Sequence, residues 1–107
     1  MIVCLRTVDV PTSERKGFLA WIDENRELRQ EHGILDELVL EPSDGAGQTV
    51  VITAWPSHEV FDAWIATPDR DRLTASDTHR SVDYHPITRY EVAGGYLNLS
   101  APTKEQL

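Results

Sequence analysis

Acid–base groups gather in one stretch of this 107-residue chain, where Arg72 is followed by His79, Tyr84 and His85. A histidine near its unperturbed pKa of about 6.5 can move a proton at neutral pH, and an arginine can steady the resulting anion. Arg72, His79 and His85 are therefore the expected catalytic groups, although residues 77–86 also have the composition of a solvated polar loop. His79 and His85 stand six apart with Asp77 and Asp83 nearby, but no paired-cysteine or His-x-x-x-His spacing marks a metal site. The single cysteine, Cys4, cannot form an internal disulfide and reads as a small buried strand residue. Gly94-Gly95 follows a strand with no helix behind it, so it is no phosphate loop. No serine nucleophile elbow is present.

A second set of residues can wall a pocket. Trp55 ends an apolar strand, and Phe61 and Trp64 share the apolar face of the following helix. Asn25 and His32 lie seven apart on the otherwise apolar stripe of an earlier helix, two polar groups able to reach inward. Tyr84 completes this set of candidates for substrate contact. The competing role for each is ordinary packing, or a polar side chain satisfied at the core's edge.

Ten basic against eighteen acidic residues give a formal charge of −8, and no basic cluster occurs. Nucleic acid and anionic membrane surfaces are therefore not expected partners, since phosphate contacts need concentrated Lys and Arg. No apolar run approaches the ~20 residues needed to span a bilayer. The N-terminal Met1-Ile2-Val3-Cys4-Leu5-Arg6 reads as a strand rather than a leader, making a cytoplasmic location the expectation.

The elements that must position these groups follow from the hydrophobic pattern. Residues 1–10 form a strand closed by Pro11, and Thr12 or Ser13 can cap a helix carrying Phe18, Trp21, Ile22, Asn25, Leu28 and His32 at spacings of three and four. Gly33 is the expected left-handed stop. Residues 34–41 and 49–55 form a hairpin around the turn-rich 42–47 segment. Ser57 caps a second helix, which Thr67-Pro68 restarts. Residues 87–92 form a fourth strand, Gly94-Gly95 a bend, and Tyr96 to Leu99 a short extension. One domain spans 1–100, with a polar tail at 101–107.

The order is β-α-β-β-α-β, an α+β ferredoxin-like arrangement with both helices on one face of a four-stranded antiparallel sheet. Such a sheet alternates apolar and polar residues when its other face is wet. Ile2-Val3-Cys4-Leu5 and Val50-Val51-Ile52 do not alternate. The uncovered face therefore needs a partner, and a second copy of the same sheet supplies one: a homodimer.

The segment Val50 to Phe61 (VVITAWPSHEVF), a strand ending in Trp followed by a Ser-capped helix, and the segment Phe61-Asp62-Ala63-Trp64-Ile65 resemble the antibiotic biosynthesis monooxygenase family. The likeness covers roughly residues 1–96. It implies a dimeric α/β barrel and oxygenation of an electron-rich aromatic or quinol substrate with O₂, as in polyketide-type secondary metabolism, with no cofactor. Reduced flavin as co-substrate stays open. In this resemblance Trp55 is the strand-end Trp that lines the pocket, and Trp64 takes the place of the Trp that presses on porphyrin in haem-degrading relatives. Thr7 falls where those relatives carry Asn, which makes it a further candidate for substrate contact; Val51 falls where aromatic-oxidising members carry Asn, and Thr74 where an axial His would stand. Haem degradation and a non-catalytic, cyclase-like polyketide-binding module are the alternatives.

Overall fold

The computed structural model describes residues 1–75 and 81–95. The first strand, β1 (Ile2–Asp9), ends before Pro11, which cannot donate to a ladder and opens a 3-10 turn (Thr12–Glu14). Neither Thr12 nor Ser13 supplies a side-chain cap; Pro11 holds that position. The expected long helix is two, α1 (Arg15–Glu24) and α2 (Arg26–Glu31). The break falls at Asn25, whose amide donates to the Trp21 carbonyl at 2.7 Å and so offers the backbone an alternative to continued helix.

Gly33 ends α2 as expected. Its φ is +104°, its N–H donates to Gln30 O, and Ile34 N–H reaches back to Arg29 O, the paired bonds of a Schellman stop. A Cβ at this position would meet Val60 Cγ1 at 2.6 Å, so glycine is required by space as well as by angle.

The hairpin is β2 (Asp36–Leu40) and β3 (Thr49–Trp55), and Ser57 Oγ then accepts from Val60 N–H to cap α3 (His58–Ile65). Thr67 separates α3 from α4 (Pro68–Ala75): its hydroxyl donates to Trp64 O at 2.7 Å and accepts from Arg70 N–H at 3.1 Å. The last strand comes in two pieces, β4 (Asp83–Tyr84) and β5 (Thr88–Glu91), of which only the second was expected. The sheet order is β2-β3-β1, with β4 and β5 both antiparallel to the far edge of β1. This is the ferredoxin-like order, with helices over one face.

Register divides the sheet into two faces. Ile2, Cys4, Arg6 and Val8 of β1 stand beside Trp55, Thr53, Val51 and Thr49 of β3, under the helices. Val3, Leu5 and Thr7 stand beside Ala54, Ile52 and Val50 on the other side, where Leu38, Leu40 and Tyr90 also project. Between β4 and β5 the register slips by one. Val8 faces Tyr84 but Leu5 faces Thr88, leaving residues 85–87 opposite Arg6 and Thr7 alone. That is a bulge, closed by His85 N–H donating to Thr7 O at 3.1 Å.

The core is two groups on the helix side. Ile2, Cys4, Ile34, Trp55, Phe61, Trp64 and Leu73 form one, and Val8, Val10 and Phe18 the other, with Trp21 packed against both. Among the described residues no helix is long and apolar enough to cross a membrane.

Candidate functional site

Between helices and sheet lies a cavity of about 330 Å³. Its walls are aromatic because each contributing element turns an apolar face inward. β3 ends on Trp55, α3 presents Phe61 and Trp64 one turn apart, α1 presents Phe18 and Trp21, and β4 brings Tyr84. Trp55 and Phe61 meet edge to face with centroids 5.1 Å apart, and Trp55 and Trp64 lie 6.4 Å apart with planes inclined by 24°. Trp55 is 1% exposed, and its indole N–H donates to Thr53 Oγ1 at 2.9 Å. That donor is already used, so Trp55 offers the cavity an apolar ring surface. His32 packs on Trp64 at 5.0 Å and bonds Asp69 at 3.0 Å, fixing the indole from behind without itself lining the space.

Polar groups in the wall are few. Arg29, 6% exposed, bonds Glu37 at 2.8 Å and also donates to Ile22 O, tying α1, α2 and β2 together at the floor. Arg6 enters from β1, its guanidinium carbon 5.4 Å from the Tyr84 ring centroid. Burial first, and then the charge of Arg70, hold the Arg6 guanidinium below its ordinary pKa. Arg70 lines the cavity from the first turn of α4, where the Thr67 cap sets it. Cys4 also lines it, its thiol pushed up by burial and so less ready to ionise.

The expected site residues divide sharply. Trp55, Phe61, Trp64 and Tyr84 come together around the cavity, as does Val51. Thr7 does not: strand alternation turns it to the helix-free face, and its neighbour Arg6 is the inward residue. Asn25 is spent on the helix break. Arg72 points to solvent, with 74% of its side chain exposed and an ion pair to Asp69, while Arg70 takes the cavity side of α4. His85 sits in the bulge, 2.6 Å from Asp9 and 3.1 Å from Gln48, off the cavity. His79, Tyr96 to Leu99 and the 101–107 tail lie outside the described residues.

Arg6, Arg70 and the Arg29–Glu37 pair went unread in the sequence. Arg6 carried a signal nonetheless: it is a charged residue in phase with Cys4 and Val8 within an apolar strand. Among the described residues no group of three or more His, Cys, Asp or Glu stands together to hold a metal ion.

This fold, a ferredoxin-like sheet roofed by helices, matches known proteins. The model of the antibiotic biosynthesis monooxygenase family matches residues 1–75, and the chain belongs to that family. No curated protein matches it in sequence. Solved structures share the fold. A Deinococcus radiodurans protein assigned by name to the antibiotic biosynthesis monooxygenases is 23% identical, with a TM-score of 0.68 over 94% of this chain and 100% of that one. The haem-degrader MhuD of Mycobacterium tuberculosis, with two haems bound in its active site, is 20% identical, with a TM-score of 0.73 over 90% and 99%. SnoaB, a cofactor-independent oxygenase from Streptomyces nogalater, is 17% identical, with a TM-score of 0.65 over 88% and 92%.

Proposed function

We propose that this protein is a cofactor-independent monooxygenase that oxidises an electron-rich, multi-ring phenol or quinol with O₂ in bacterial secondary metabolism. The observation that carries the reading is the chamber itself, with Trp55, Phe61, Trp64 and Tyr84 around a space of about 330 Å³. Flat aromatic walls suit a flat aromatic ligand, and a chamber of that size accommodates a fused-ring compound.

The reaction needs no external reductant. Turning a ring C–H of a phenol into a quinone carbonyl takes four electrons from the ring, three from that carbon and one from the phenol carbon, and delivers them to O₂. One oxygen atom joins that carbon and the other leaves as water. The ionised substrate passes its first electron to O₂, and the resulting radical pair combines at carbon before water is lost. The protein's part is to hold ring and oxygen together, favour the anion and keep bulk water out. Trp55, Phe61, Trp64 and Tyr84 are the proposed substrate contacts.

The working form is proposed to be a homodimer, two sheets packed face to face. Val3, Leu5, Leu38, Val50 and Ile52 stand on the face that no helix covers. At about 25 cal/mol per Å² of apolar surface, joining two such faces is strongly favourable.

Purified protein supplied with a panel of anthrone-like phenols and of hydroquinones with a free ring position under air is expected to take up one O₂ per quinone or hydroxyquinone formed, with one atom of that O₂ in the product and no peroxide released, equally with and without chelator. No enzyme-dependent uptake across the panel would overturn the reading. Haem degradation, the alternative, calls for an axial ligand, and among the described residues no histidine lines the chamber. A Soret shift on haemin titration followed by haem breakdown would favour it instead.

A further inference from the structure

Charged residues are distributed unevenly between this chain and its chamber. The chain carries a formal charge of −8, yet the lining holds Arg6, Arg29 and Arg70 against one carboxylate, Glu37. Glu37 is engaged by Arg29, which leaves Arg6 and Arg70 uncompensated. Among the described residues neither forms an ion pair.

Two guanidiniums facing one largely apolar space repel each other and lose hydration, a cost that an anion between them would reverse. The wall is also short of acceptors. Buried donors without a partner include Arg6 Nε, Trp21 Nε1 and Arg29 Nε, all on lining residues. Tyr84, under the Arg6 guanidinium, supplies the adjoining ring surface.

We propose that Arg6 and Arg70 form an anion clamp, and that the chamber selects aromatic ligands bearing an acidic oxygen, a ring carboxylate or a phenolate, over neutral analogues of the same shape. This rests on the chamber being the substrate site, and it names the substrate class. Arginine suits the task because its planar fork binds carboxylate in a bidentate manner and keeps its charge at every working pH.

The test uses redox-inert probes, so it reads binding without turnover. Tryptophan fluorescence quenching or calorimetry compares 2-naphthoate, its methyl ester, and 2-naphthol below and above its pKa. The intact protein is expected to bind 2-naphthoate at least tenfold more tightly than the ester, with affinity falling as salt rises. Arg6→Met and Arg70→Met should each cut naphthoate affinity about tenfold and leave the ester unchanged, while Arg6→Lys retains most of the preference.

Equal affinity for acid and ester in the intact protein overturns the clamp, as does a preference that survives Arg6→Met with Arg70→Met. Should the Arg6 variants fail to fold, Arg70→Met and the salt dependence decide alone. The phenolate arm separates the two anion sources: pH-dependent naphthol binding that vanishes in Arg70→Met extends the clamp to phenolates, and pH-independent binding confines it to carboxylates. Arginine-dependent naphthoate binding without O₂ uptake on any quinol would sink the oxygenase while sparing the clamp. Quinol oxidation untouched by both arginine substitutions, with acid and ester bound alike, would do the reverse.

Discussion

Trp55 gives its only hydrogen-bond donor to Thr53, two residues back on the same strand and on the same face of the sheet, at 2.9 Å. The pair holds the most deeply buried tryptophan of the core in one orientation. Thr53→Val keeps the shape but deletes the acceptor, stranding a buried N–H. A loss of about 1–3 kcal/mol is expected, read by calorimetry as a midpoint lower by roughly 4–8 °C per kcal/mol. An unchanged midpoint would show that the bond contributes nothing.

Acid should loosen the sheet edge at Asp9. The hydrogen bond with His85, and after it that with Gln48, holds the Asp9 carboxyl below the usual carboxylate range. A carboxyl depressed in the folded state contributes stability that is whole above its unfolded pKa of about 3.9 and is lost as pH falls through the lower folded value. Denaturant titrations from about pH 5 down to pH 2 should therefore show a shallower acid decline for Asp9→Asn than for the parent. High salt should narrow the difference, because the pair is open to solvent. Identical slopes would dissociate Asp9 from the acid limb.

Ile52 lies at the middle of the helix-free face, flanked by Leu5 on one side and Leu38 on the other. The parent is expected to sediment at about twice the 12.1 kDa chain mass. Ile52→Asp should sediment as a single chain, since a buried unpaired carboxylate at the centre of an interface is costly. A parent that stays monomeric at micromolar concentration removes the barrel.

Element order, the Gly33 stop and the Ser57 cap could be read directly from spacing and turn chemistry, and the pocket between helices and sheet from the family resemblance. Parity could not. In a strand apolar on both faces, pattern alone does not say which of two neighbours points inward; Thr7, a candidate through the family resemblance, faces away from the chamber while its neighbour Arg6 faces it. Helical phase failed for a related reason in α4, whose Pro68-Asp69-Arg70-Asp71-Arg72 opening has no apolar stripe to orient it. Arg70 and Arg72 differ by a rotation of about 200°, and only the packed structure separates them. That His85 lies off the chamber could not be read either, because its partners, Asp9 and Gln48, are 76 and 37 residues away in sequence.

The slip between β4 and β5 does more than bend an edge. Tyr84 and Tyr90 are an even number of residues apart, so an unbroken strand would hand both phenols to the same side. With one surplus residue between them, Tyr84 reaches the inner chamber while Tyr90 goes to the opposite surface. One edge of the sheet thereby presents one ring to the chamber and another to the helix-free face. Deleting one residue from the 85–87 corner would remove the surplus and let the strand pair straight through with each ring on its present side, whereas straight pairing of the intact strand would bring Tyr90 inward and turn Arg89 and Glu91 onto the helix-free side.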